Sequence, residues 1–328
     1  MSATDTNLSG PDTPVADSLR ASGALGRTRV VNTLLVLIRR EFWEHRVLWM
    51  APVVIAVLLV ACAFPARVNL PDFGPGTAVE AGRATHLAMF ALIQWGLTVP
   101  QYLVMVIVLN FYLLDCLYAE RKDRSILFWK SLPVSDGATV ASKLLVALVV
   151  VPLGVYVLAL VTNVLFSAIW MGRAALGYLP ASAAVWDTVA WLKVEALMLF
   201  GLIVSILWYA PLAAYLVLVS AWARRSVFLW ATLPPVFAVL VERLAFGTHF
   251  VAGLIEYRTY GIWGSLHLES AIKHTILAGG HQMVSLPGVF DTMDASAAFA
   301  NIDLWLGLAV AAAFAFAAVR IRRYRDDT

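Results

Sequence analysis

Residues 144–171 read LLVALVVVPLGVYVLALVTNVLFSAIWM, 28 positions without one charged side chain. As a helix rising 1.5 Å per residue this run is about 42 Å long, more than the roughly 30 Å of a bilayer's hydrocarbon core. It has no polar face of the kind a helix on a soluble core carries. In lipid such a run satisfies its own backbone only as a helix, so it reads as a membrane span.

Similar runs occupy 47–64, 87–114, 196–223, 227–246 and 302–319. Across 328 residues the chain is 61% hydrophobic and 14% charged, against about 45–50% and 25% in an ordinary soluble domain. A soluble oxidoreductase, a nucleic-acid-binding module and a secreted disulfide scaffold are therefore poor readings. The predicted fold class is an all-α membrane protein of six transmembrane helices. The fifth run is the weakest, because its uninterrupted part, 227–241, spans only about 22 Å and carries Pro234 and Pro235. A kink, or completion by a segment that dips back into the membrane, is expected there.

Residues 1–29 are rich in Ser, Thr, Asp, Gly and Pro and read as a disordered cytoplasmic tail. From 30 to 46 the apolar residues Val31, Leu34, Leu35, Ile38 and Phe42 recur at helical spacing before a charged end. That pattern predicts an amphipathic helix in the inner interface. The membrane domain is expected to run from 30 to 325, with an inner loop at 115–143 and an outer loop at 247–301.

Charge sets the orientation. With both termini cytoplasmic, six basic residues precede the first span, five lie in 115–143, two are Arg224 and Arg225, and four follow the last span, which makes 17 of the 24 inside. Odd crossings would put the C-terminal arginines outside, against the positive-inside rule. Cys62 and Cys116 fall near opposite faces, so no disulfide is expected.

The inner loop contains Glu120, Arg121, Lys122, Asp123 and Arg124, directly followed by Ile126, Leu127, Phe128, Trp129 and Lys130. A solvated linker has no reason to carry that aromatic pair. A short amphipathic helix over 118–132, stopped by Pro133, would suit docking into a groove on another protein; a charged face whose aromatics rest in the headgroups is the plainer alternative.

The segment ending Arg39-Arg40-Glu41-Phe42-Trp43-Glu44, a first span, and a second span running into ERKDRSILFWKSLPVSD, then Ser142-Lys143 and a third span, resembles the membrane-spanning permease subunits of ABC-2 type exporters. The resemblance covers residues 30 to 325 and is most specific in the inner loop. It implies six spans per protomer behind an elbow helix, a paired second permease protomer, identical or not, and two ATPase subunits on the cytoplasmic side of the cell (inner) membrane. It implies a coupling helix at 118–132, whose aromatic end fills an apolar groove on the ATPase while Glu120, Arg121 and Arg124 make charged contacts at the rim. The elbow residues Arg40, Glu41 and Glu44, and Arg224 and Arg225 between spans four and five, would lie near the ATPase too. ATP and Mg would be bound by that partner, with no cofactor in this chain.

The motifs agree. No Gly-x-x-x-x-Gly-Lys-Ser/Thr phosphate loop is present, so nucleotide hydrolysis would need a separate chain. His267, His274 and His281 recur every seven residues, about 10.5 Å along a helix, too far apart to share a metal. Asp115, Glu195, Glu242 and Asp303 all fall near span ends, where side chains reach the interface. Gln94, Gln101, Thr162, Asn163 and Ser205 read as helix-packing polar groups ahead of a binding site. At least one proline falls in each of the first five spans, as suits helices that rock, though prolines are common in membrane helices. An ion-coupled secondary transporter is the alternative function, weakened by the lack of internal repeats and of a mid-membrane carboxylate. A membrane-embedded enzyme ranks last, since no metalloprotease or serine-hydrolase motif is present.

The topology is checked with single cysteines at Ser2 and Ser296 in a background lacking Cys62 and Cys116. An impermeant thiol reagent applied to intact cells should label the second and spare the first; the reverse pattern would reject six spans with both ends inside.

Overall fold

A computed structural model describes residues 33–65, 79–123, 134–179, 186–265 and 299–324, and these are helical with no strand among them. In chain order the helices are α1 (Thr33–Glu44), α2 (Val47–Cys62), α3 (Val79–Asp115), α4 (Tyr118–Lys122), α5 (Asp136–Leu145), α6 (Val151–Ala175), α7 (Thr188–Trp222), α8 (Val227–Ala245), α9 (Phe250–Ser265) and α10 (Ile302–Tyr324). Five helical stretches are long and apolar enough to cross a membrane, or six when α1 and α2, bent by 60° at residues 45–46, count as one. The molecule is thus an all-helical, multi-pass membrane protein, and its apolar helices fall where the six apolar runs predicted them. The tail at 1–29, the inner-loop segment 124–133 and the outer-loop segment 266–298 lie outside the described residues.

The core gathers where α3, α6 and α7 meet. Leu113, Leu117, Val146, Ala147, Ala213 and Val217 are all almost wholly buried there. α7 packs most extensively on α10, and Ala213 and Ala221 of α7 share the core with Ala318 of α10. Small side chains let helix backbones approach in lipid, where dispersion and hydrogen bonds replace the hydrophobic effect between helices. α8 lies at the periphery, and its Phe228, Leu233, Val236 and Phe237 face outward.

α1 sets Ile38 of its apolar stripe against the core. Leu37 and Glu41 are buried, whereas Leu35 is exposed. The side is chosen by the ionic partners of Glu41, which outweigh the placement of one leucine in a medium as apolar as itself.

One boundary moves in the second half of the chain. α7 begins at Thr188, because the Asp187 carboxylate accepts from the backbone N–H groups of Val189 and Ala190 and caps the helix. Glu195 therefore sits inside α7, two turns from its start, and is 5% exposed. In the outer loop, α9 is a helix whose first turn is capped by Glu242: its carboxylate accepts from Thr248 Oγ1 and from the N–H groups of Phe250 and Val251. α9 turns back on the bundle, where Tyr257 donates to the Asp303 carboxylate at 2.9 Å and Arg258 to the Asp303 carbonyl at 2.7 Å. The Arg258 guanidinium also stacks over the Trp208 ring at 5.0 Å.

The prolines are accommodated in two ways. Pro152 follows a π-helical turn, Val146–Val150, which moves the preceding carbonyls off the pyrrolidine ring. Pro234 and Pro235 leave α8 continuous from Val227 to Ala245. Pro235 has no N–H for the Ala231 carbonyl, and the Tyr215 hydroxyl of α7 donates to that carbonyl at 2.9 Å instead. The doubtful fifth run is thereby one unbroken helix. Tyr215→Phe should cost about 1 kcal/mol, measured by reversible detergent unfolding, because it orphans a carbonyl in an apolar setting. In a Pro235→Ala background, where a backbone N–H is restored, the same change should cost clearly less.

Candidate functional site

At one end of the bundle, four segments far apart in sequence bring charged side chains into a buried network. Lys143 on α5 places its ammonium 2.8 Å from Glu41 Oε1 of α1 and 3.1 Å from Glu120 Oε1 of α4. Arg322 on α10 reaches Glu120 Oε2 at 2.6 Å and Asp136 Oδ1 at 3.0 Å, and Arg40 lies 3.6 Å from Glu120. Three carboxylates thus face three cations. Glu41 and Lys143 are each 1% exposed, so neither charge has water to fall back on. The Tyr112 hydroxyl of α3 donates to Glu41 Oε2 at 2.9 Å, so both oxygens of that carboxylate are engaged.

Local structure delivers these groups. Ser135 caps α5 by accepting from Ala138 N–H, which sets Asp136 at the first position of that helix and Lys143 two turns on, facing α1. α4 is a single turn whose free N–H donors, Leu117 and Tyr118, both bond Ser220 Oγ of α7 at 3.1 Å. Arg121 then donates to the Ser220 and Ala223 carbonyls. A guanidinium on the last turn of α7 answers both its unpaired carbonyls and the negative end of its dipole. α4 is thereby clamped between the end of α7 and the ion network.

The residues expected at a partner-binding face are divided by this geometry. Glu120 and Arg121 turn inward, to the contacts just described, and Glu41 is buried with them. Arg40 is half-buried between Glu120 and Glu44, the latter exposed. Lys122 and Asp123 are exposed, as are Arg224 and Arg225, which directly follow the Ala223 carbonyl that holds Arg121. Arg124, Phe128, Trp129 and Lys130 lie outside the described residues, so the helix expected at 118–132 is described only as the turn Tyr118–Lys122.

Arg322 entered the sequence reading only as a count in a charge tally, Lys143 there and as the second residue of the Ser142-Lys143 pair before the third span, and Tyr112 and Ser220 not at all. Their positions beside apolar runs carry no period or motif, so sequence alone offers little to find them by. Trp222 packs edge-on to Trp230 with ring centroids 4.7 Å apart. With Ala223 and Arg224 the pair lines an open notch of about 320 Å³ beside the exposed arginines.

Among the described residues no three His, Cys, Asp or Glu side chains gather as metal ligands; His267, His274 and His281 lie outside them. The arrangement at this end is mechanical in kind: it ties α1, α4, α5, α7 and α10 into one unit whose exposed rim is basic and aromatic. Comparison with protein-family models, with curated proteins and with solved structures finds no match.

Breaking one side of the Glu41–Lys143 pair strands a buried charge. Lys143→Met should cost on the order of 3–5 kcal/mol in detergent unfolding, whereas the pair Glu41→Leu with Lys143→Met should recover more than half of that loss.

Proposed function

We propose that this chain is the permease subunit of an ATP-driven ABC-2 type exporter, working as a dimer in the cell (inner) membrane with both termini cytoplasmic. A separate ATPase subunit binds ATP and Mg and drives it. The observation that carries this reading is the clamp on α4: the segment between the second and third spans is fastened, through Glu120 and Arg121, to the ends of α1, α5, α7 and α10. A partner that pulls on the loop after α4 moves five helix ends together, which is what coupling to a closing ATPase dimer requires. In this reading α1 is the elbow helix, and 118–132 is the coupling segment.

The internal pairing of Glu120 and Arg121 refines the docking surface. The charges free to meet the ATPase at this rim are Lys122, Asp123, Arg224 and Arg225, around the Trp222–Trp230 notch, with Phe128 and Trp129 as the aromatic anchors. Basic rims and aromatic anchors favour a partner surface with acidic edges around an apolar groove. The ion-coupled transporter gains one observation of its own, the burial of Glu195 inside α7.

Two measurements separate these readings. The purified chain alone should show no ATP hydrolysis, and an ABC ATPase should co-purify with it and respond to it. Phe128→Ala, or Lys122→Glu combined with Arg225→Glu, should lower association by about 2 kcal/mol, roughly thirtyfold, with membrane insertion unchanged. Normal ATPase recovery with both variants would reject the docking surface. Ion-driven transport without any ATPase would reject the permease reading itself.

A further inference from the structure

Well away from the ion network, the interior of the bundle holds a second polar cluster of different character. Twenty-five residues of α7 separate Glu195 from Ser220, about 37 Å at 1.5 Å per residue. There the Glu195 carboxylate accepts a hydrogen bond from Asn163 Nδ2 of α6 at 2.9 Å, and the same amide nitrogen lies 3.3 Å from Thr98 Oγ1 of α3. Thr98 donates to the Gln94 carbonyl, and the Gln94 side-chain amide reaches Ser167, one turn along α6 from Asn163. Gln94, Thr98 and Gln101 are spaced by four and three residues, so they share one face of α3. The Tyr102 and Tyr156 phenols lie within electrostatic reach of Glu195.

Two features set this cluster apart from ordinary helix-packing polarity. Glu195 is 5% exposed, and among the described residues no cation pairs with it. Around it, acceptors outnumber donors. Asn163 Oδ1, Gln94 Oε1 and Gln101 Oε1 are buried without a hydrogen-bond partner, on side chains at most 1% exposed. Tyr102 OH is also unpartnered, and the single pure donor left over is the Trp191 indole, one turn from Glu195.

We propose that Glu195, Asn163, Gln94 and Thr98 form a binding site for a single monovalent metal cation within the bundle. Carboxylate, amide and hydroxyl oxygens are the ligands hard cations take. One carboxylate among neutral groups matches one positive charge; a divalent ion would leave an excess charge in a low-dielectric interior. A proton on Glu195 would neutralise the carboxylate but serve one acceptor, whereas a cation serves several oxygens at once. The inference does not depend on the permease reading, since an exporter and an ion-coupled transporter could each hold such a site.

The test is equilibrium binding of radioactive sodium, with potassium as competitor, to the full-length chain purified in detergent at constant ionic strength. Wild-type protein should show one saturable site per chain. Glu195→Gln and Asn163→Ala should each weaken it at least about tenfold, while Asp303→Asn, at the α9–α10 contact, should leave it unchanged. If Glu195→Gln does not yield monodisperse protein, Gln94→Met keeps the carboxylate and its Asn163 bond and should still weaken binding. No saturable binding of either ion, sodium binding unchanged in well-folded Glu195→Gln, or a Glu195 that exchanges only protons by carboxyl infrared absorption would overturn the assignment.

Discussion

The ammonium of Lys143, held between the carboxylates of Glu41 and Glu120, is the constraint on which the rest of this fold depends. A charge taken out of water needs a partner at hydrogen-bond distance, or the segment that carries it does not bury. Meeting that need requires α1 and α4 to converge on α5, and the second carboxylate oxygen of Glu120 then calls in Arg322 from α10. Four helix ends are thereby registered to within the length of a salt bridge. Apolar packing alone would not do this, because one leucine-rich surface fits another in many registers.

Backbone satisfaction sets the second constraint. Each interrupted hydrogen-bond ladder has a local answer. A π turn precedes Pro152, the Tyr215 hydroxyl serves the carbonyl that Pro235 leaves free, and Arg121 serves the last carbonyls of α7. At the far end of the bundle Arg173 donates to the Ala63 carbonyl beyond α2, and Glu242 caps α9. Nearly every one of these devices joins two helices, so the groups that complete the backbone also hold the bundle together.

The two polar clusters differ in a way that bears on function. At the α4 end, charges balance and most oxygens and nitrogens are paired, as befits a rigid joint. Around Glu195 the charges do not balance and the acceptors are in surplus, as befits a place where something binds. In the proposed exporter the first cluster receives force from the partner subunit, and the second lies about 37 Å away along α7, where that motion would be felt by whatever occupies it.

What the sequence determined by itself was the class and the approximate places of the apolar helices, because runs such as 144–171 have one stable arrangement in lipid. It also located the charged turn at 120–124. Only the tertiary structure decided which charges stay exposed and which are spent inside: Glu120 and Arg121 stand in the same charged turn as Lys122 and Asp123, yet the first two are engaged within the chain, as is Glu41. It decided too that Glu195 is buried, because the Asp187 cap starts α7 seven residues before residue 195, and that α8 survives two prolines. The ion network rests on single contacts between residues up to 202 apart in sequence, such as Arg322 with Glu120. A pairing of that kind has no period along the chain, so hydropathy and spacing carry no trace of it.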